Sequence, residues 1–194
     1  ELGYQKLIDY KKKHGDCLVP DKYIIDAFTL GHWVRYQRVA KSLSDEKKAK
    51  LNEIGFIWNV SNYIFDKAFY HLKAFIDKNG HCNVPYQYKV NNVAIYNWVR
   101  NLAKRKTTLS SSQLSKLDKI GFQWDPYDRQ WSMMFMKLKR FKQTFGHTKV
   151  AKDYLVDGVN LGNWVRSQRK KRYQIKKERK DLLQSLGFLW EATK

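Results

Sequence analysis

The sequence predicts an all-α fold of three tandem three-helix modules, each about 65 residues long, with short extended segments at the Val-Pro stretches. Three recurrences carry this prediction. Gly55-Phe56-Ile57-Trp58 returns as Gly121-Phe122-Gln123-Trp124 and as Gly187-Phe188-Leu189-Trp190. Upstream of each stands Trp-Val-Arg, at Trp33-Val34-Arg35, Trp98-Val99-Arg100 and Trp164-Val165-Arg166. Further upstream a Gly precedes a Val by four residues, at Gly15 and Val19, Gly80 and Val84, and Gly146 and Val150. Motifs repeated in one order at matched offsets mark an array of one small unit. The expected boundaries are 1–60, 61–126 and 127–194.

The first helix of a module is clearest in the third copy. Trp131, Phe135, Leu138, Phe141 and Phe145 follow one another at steps of four and three, one face of a helix, and Gly146 ends it. Phe65, Phe69, Leu72, Phe75 and Ile76 do the same before Gly80, and Tyr4, Leu7 and Tyr10 before Gly15. The aromatic four residues ahead of Tyr4 would precede Glu1, so the first repeat is expected to be truncated and the chain a piece of something longer. Next come Cys17-Leu18-Val19-Pro20, Cys82-Asn83-Val84-Pro85 and Thr148-Lys149-Val150-Ala151, which lack helical period. A residue before Pro is pushed away from the α region, so these stretches should be extended. Turn signals at Asn91-Asn92 and Asp157-Gly158 leave room for a short extended pair or a plain loop.

The second helix carries the signature Leu161-Gly162-Asn163-Trp164-Val165-Arg166-Ser167-Gln168-Arg169. Its spacing turns Leu161, Trp164 and Val165 inward and Arg166, Arg169 and Lys170 outward. Repeat one reads Leu30 to Arg38 in the same way, whereas repeat two has Tyr96, Leu102 and Ala103 in place of the Gly, Gln and second Arg. A third helix follows Leu43, Leu109 or Ile175, with N-caps expected at Ser44 and in the Ser110-Ser111-Ser112 run. Gly55, Gly121 and Gly187 then fall where a left-handed C′ residue is wanted, and the next Phe folds back on the last turn. Units this small need many aromatics to fill a core, and the chain holds seven Trp, twelve Tyr and ten Phe.

Charge supplies the functional signal. Lys and Arg number 38 against 18 Asp and Glu, a formal net charge of +20. Residues 1–58 hold 11 basic and 8 acidic side chains, 59–124 hold 10 and 3, and 125–194 hold 17 and 7. Positive potential therefore rises along the chain and favours a polyanionic partner, nucleic acid first. A mean hydropathy of −0.67 and the lack of any apolar run near the roughly 20 residues of a membrane span point to a soluble protein with no membrane partner. Cys17 and Cys82 occupy equivalent positions, so a bridge would join two copies of one local site; a reduced, cytoplasmic setting is expected.

No Gly-x-x-x-x-Gly-Lys-Ser/Thr, Asp-Glu-x-Asp/His, Gly-x-Ser-x-Gly or His-Glu-x-x-His occurs, so neither ATP hydrolysis nor the common hydrolase chemistries are expected. The five His are scattered, and His81 beside Cys82 has no second ligand pair at metal spacing. No catalytic residue, metal or cofactor is assigned. The repeated Trp are read as core, leaving Tyr36, Tyr86, Tyr88 and Tyr173 as the aromatics better placed for base stacking. Arg35, Arg100 and Arg166, the charged position present in every copy, serve either as phosphate contacts or as partners of intramodule ion pairs. Arg38, Arg169 and the run Lys170, Lys171, Arg172 are read as phosphate contacts, and Lys104 and Arg105 complete the candidate set.

Leu-Gly-x-Trp-Val-x-x-Gln-Arg, preceded by Gly-His-x-x-Val-Pro and followed by Gly-Phe-x-Trp, resembles the helicase-associated domain family. These are small helical modules in tandem, often on the C-terminal side of bacterial DEAD/DEAH-type helicases. The resemblance covers essentially the whole chain and is strongest in Leu30 to Arg38 with Gly55 to Trp58, and in Leu161 to Arg169 with Gly187 to Trp190. It implies three-helix units with a role in binding nucleic acid, DNA or RNA, attached to a helicase motor in the same polypeptide. The alternative is a protein-interaction array docking an acidic partner or the helicase core.

Overall fold

The computed structural model describes residues 1–191. The chain divides into two compact units, Glu1–Lys67 and Ala68–Lys194. In the first, α1 (Leu2–His14), α2 (Leu30–Val39) and α3 (Asp45–Glu53) surround one core, and α4 (Val60–Asn79) begins. Leu7, Leu30 and Val34 are wholly buried in it, with Tyr10, Cys17, Val19, Leu51 and Phe56 around them. The Ser44 side chain accepts from the Lys47 N–H and caps α3. At the other end Gly55 takes φ 68°, and the Phe56 N–H returns to the Leu51 carbonyl at 3.0 Å. That six-to-one bond is the Schellman closure expected of Gly-Phe, and it recurs from Phe122 to Leu117 and from Phe188 to Leu183. Asp16, just past α1, accepts from the Tyr63 hydroxyl at 3.3 Å and pairs with Lys67 at 3.7 Å, tying the start of α4 to this unit.

The second unit holds the rest of α4, then β1 (Lys89–Val90), β2 (Val93–Ala94), α5 (Ile95–Lys104), α6 (Ser111–Lys119) and α7 (Pro126–Phe145). It ends with β3 (Leu155–Val156), β4 (Val159–Asn160), α8 (Leu161–Lys170) and α9 (Lys177–Ser185). Ser110 and Gln113 form a reciprocal capping box on α6. Leu72, Ile95 and Leu117 are fully buried in repeat two, and Leu138, Leu161, Val165 and Leu183 in repeat three. Repeat three docks on repeat two through α7. Arg140 donates to the Lys78 and Asn79 carbonyls at 3.3 and 3.4 Å, placing a cation on the negative end of α4. Met136 fills the space beside Gly80, where a Cβ would stand 2.3 Å from its Cε.

The turn signals resolve as extended pairs. Lys89 pairs with Ala94 and Leu155 with Asn160, both antiparallel. Their two-residue turns, Asn91-Asn92 and Asp157-Gly158, have positive φ at both positions, the type I′ geometry that matches strand twist. Repeat one keeps only a single bridge, Ile25 to Phe28, over Asp26 and Ala27. Lys6 of α1 pairs with Asp26, and Lys137 of α7 with Asp157 at 2.5 Å, so one ion pair pins the turn in repeats one and three.

The tryptophans depart from their expected place. Trp33, Trp98 and Trp164 are half-buried, and Trp58 is 36% exposed. Val34, Val99, Val165 and Phe56, Phe122, Phe188 are the buried members of the two motifs. A ten-residue helix offers a narrow inward stripe, and the valine occupies its centre while the larger indole covers the rim. Cys17 and Cys82 are buried free thiols. The Cys17 thiol donates to the Ile54 carbonyl, Cys82 accepts from the Gln123 N–H, and Thr148 donates to the Gly187 carbonyl. The shared position is thus a small polar side chain that ties the extended segment to the Gly-Phe turn, which a hydroxyl does as well as a thiol.

Candidate nucleic-acid interface

Helix two is held at its start by a close approach that only Gly permits in repeats one and three. A Cβ on Gly31 would stand 2.1 Å from the Asp21 carbonyl oxygen, and one on Gly162 would stand 1.9 Å from that of Ala151. This seats α2 and α8 against the preceding turn and fixes which residues face outward. Arg35 and Arg166 are exposed, as is Arg100 on α5. Arg35 has a partner, Asp21 at 3.4 Å, with both side chains more than half exposed. Arg100 and Arg166 have no ion-pair partner among the described residues.

Arg38 and Arg169 correct the outward reading of the sequence. Both are half-buried, and each folds back across its own module. Arg38 Nε donates to the Ile57 carbonyl at 2.8 Å, and Arg169 Nε to the Leu189 carbonyl at 2.8 Å. Each guanidinium also lies over the Gly-Phe phenyl ring, Phe56 or Phe188, at 5.6 Å. Burial pulls both below the usual guanidinium ionisation range. Their length and planar donor fork let them reach an inward carbonyl from a position the helical wheel places at the edge. They hold the Gly-Phe-x-Trp segment.

Repeat two has Ala103 at this position, and the same task falls to Arg129 of α7. Arg129 is 6% exposed and donates to the Gln123 and Trp124 carbonyls at 2.7 and 2.8 Å, with its guanidinium over Phe122 at 5.7 Å. Arg129 is not among the candidates that the sequence analysis names. Its signal was indirect: Ala103 vacates a role, and an Arg stands seven residues past Phe122 in a helix about to pack there.

The other candidates lie at the end of helix two. Lys104 and Arg105 close α5, and Lys170 and Lys171 close α8, all four exposed and without ion-pair partners among the described residues. Arg172 is half-buried, paired with Glu191 at 3.6 Å and lying over Tyr173 at 4.7 Å. Beside α8 a cleft of about 500 Å³ is lined by Tyr127, Trp131, Trp164, Lys171, Lys176 and Arg179. Trp131 is only 8% exposed there, with Phe135 stacked on it and Arg179 over it at 5.0 Å, itself held by Asp128. The Trp131 indole donates to Gln168 at 3.0 Å, which satisfies the buried Gln of repeat three.

Among the described residues no group of three or more His, Cys, Asp or Glu is arranged to hold a metal ion. No helix among them is long and apolar enough to cross a membrane. The family described as Helicase associated domain matches the chain three times, over residues 1–59, 63–125 and 128–191. No curated protein and no solved structure matches it. The repeated Trp-Val-Arg helix, the Schellman-closed Gly-Phe turn and the guanidinium bridging them are thus the build of a helicase-associated accessory module, and the chain belongs to the helicase associated domain family as three tandem copies.

Proposed function

We propose that this chain is a non-catalytic nucleic-acid-binding accessory region of a helicase, holding backbone phosphate through the outer faces of helix two. One observation carries the reading. Of the ten candidate cations, once the inward and paired arginines are set aside, Arg100, Lys104, Arg105, Arg166, Lys170 and Lys171 remain exposed and without ion-pair partners among the described residues. All six belong to repeats two and three, and no carboxylate is set against them. Cations left unneutralised on one helix face are what phosphate contact requires, and they position a strand without reading its sequence.

The test is a salt titration of binding to one oligonucleotide. Each phosphate neutralised contributes about −0.7 to −0.9 to the log-log slope. Changing Arg166, Lys170 and Lys171 together to Gln should flatten the slope by roughly two to three. Changing Arg35 and Lys41 to Gln should leave it nearly intact. Equal losses would overturn the assignment to α8. A protein-docking role has one specific observation in its favour, confined to repeat one: Tyr36 and Val39 on the outer face of α2 are 65% and 69% exposed. That face suits a protein partner, and the helicase core is the candidate.

A further inference from the structure

Repeat two carries Tyr96 where repeats one and three need Gly31 and Gly162. A side chain there forbids the close approach of the preceding turn, and the turn is rebuilt. The closing bond is kept in all three copies: Tyr23 to Pro20, Tyr88 to Pro85 and Tyr154 to Ala151, at 3.0 to 3.1 Å. Gln87, however, takes φ 60°, whereas Lys22 and Asp153 are not among the residues with positive φ. A left-handed third residue marks a type II turn, whose central peptide is turned over relative to type I. In repeats one and three the central carbonyls, of Asp21 and Lys152, lie against the glycine; in repeat two the flip withdraws that carbonyl. The conformation strains a non-Gly residue, and no Gly relieves it.

The space so formed is a cleft of about 410 Å³, lined by Tyr86, Gln87, Tyr88, Lys89, Tyr96 and Asn97. Tyr86 and Tyr96 meet edge to face at 5.2 Å, and Tyr86 is 73% exposed, so its ring face is open. Gln87 and Asn97 are exposed amides, each able to donate and accept. No carboxylate lines the cleft. From Asn97 the exposed stripe of α5 continues through Arg100 and Asn101 to Lys104. An open aromatic ring, two amides and a cation, at the head of a basic helix face, match the chemistry of a base with its flanking phosphates.

We infer that this cleft takes an unpaired nucleobase of a strand whose phosphates run along Arg100 and Lys104, an inference that rests on the nucleic-acid reading above. Repeat two is then the module that prefers single strands, and its departure from the family signature at Tyr96 is part of the site.

The experiment uses the full chain with 12-nucleotide single strands, in deoxy and ribo series, and with base-free backbones of the same length and charge. Stacking one base is worth about 1–3 kcal/mol, so the strand with bases should bind about tenfold more tightly than its base-free counterpart. Tyr86→Ala, an exposed change that leaves the core alone, should erase most of that preference and keep the salt slope. Tyr96→Gly, which restores the residue of the other repeats, should do the same. The preference seen in either series supports the cleft and identifies the sugar it accepts. Equal binding of strands with and without bases, or a preference that survives both substitutions, overturns the cleft while leaving the phosphate reading intact. Failure of every strand to bind at low salt overturns both.

Discussion

Helix two ends differently in repeats one and three, although both begin with Leu-Gly-x-Trp-Val-Arg. The last helical residue and the C-cap are Val39 and Ala40 in α2, but Lys170 and Lys171 in α8. The first outward Arg follows the same division: Arg35 is matched by Asp21, and Arg166 stands alone among the described residues. Two modules with one inward design thus present opposite outer faces, one partly apolar and neutralised, the other cationic. The inward side chains set the fold, and the outer face is free to vary. Repeat two shows the converse, since α5 keeps the cationic end in Lys104 and Arg105 while its inward guanidinium is replaced from α7.

The sharpest way to break this comparison is to remove the inward guanidinium. Arg129→Ala uncovers two carbonyls and the face of Phe122. At about 1.5–3 kcal/mol for a charged hydrogen bond, the loss should reach about 3 kcal/mol in chemical unfolding. Ala103→Arg in the same chain should recover about half of it by restoring the arrangement of repeats one and three. No recovery would mean that Arg129 matters through the docking of α7 instead. Arg169→Ala, at a more exposed site, should cost about 2 kcal/mol.

Grafting the outer face tests the other half. Tyr36→Ser, Val39→Lys and Ala40→Lys give α2 the outer residues of α8. If the outer face alone decides phosphate binding, the salt slope should steepen by about 1.5 and affinity at low salt should rise roughly tenfold. An unchanged slope would assign the face of α2 to a protein partner.

The residue after the first-helix glycine sharpens the comparison through pH. Asp16 in repeat one faces Lys67 and Tyr63, whereas His81 in repeat two lies beside Lys137 and Arg140 with its Nδ1 buried and unbonded. Burial, then those two cations, lower the His81 pKa from 6.5 to about 4. The unfolded chain therefore takes up a proton that the folded one refuses. Stability is full above about pH 6.5 and falls as pH drops toward 4, by on the order of 1–2 kcal/mol after solvent screening is allowed for. Urea melts of the wild type and His81→Gln at pH 7, 5.5 and 4 should diverge in slope; parallel curves would show that His81 is not so held.

The smallest effect belongs to the turn of repeat one. Ala27 has φ 57° where repeat three has Gly158 at φ 73°. Ala27→Gly should stabilise the first unit by about 0.5–1 kcal/mol, since the strain at an αL alanine exceeds the entropy that Gly adds to the unfolded chain. Destabilisation would show that the turn is held by Lys6 and Asp26 alone.

The sequence by itself determined the threefold repeat, the helices and their ends. Those features are local: apolar spacing of three and four, Ser caps, and Gly where φ must be positive, each legible within one turn of chain. It also determined which face of helix two carries Arg35, Arg100 and Arg166. Only the tertiary structure decided that Arg38 and Arg169 turn inward, because a long, flexible side chain at the edge of a helix can reach either solvent or a carbonyl twenty residues away, and periodicity cannot choose between them. Only there does Arg129 become the partner of Phe122, since its role depends on how α7 packs against the end of repeat two. The cleft over Tyr96 belongs to the same class: one missing glycine is visible in the sequence, but the peptide flip that answers it is a steric settlement between a helix and a turn.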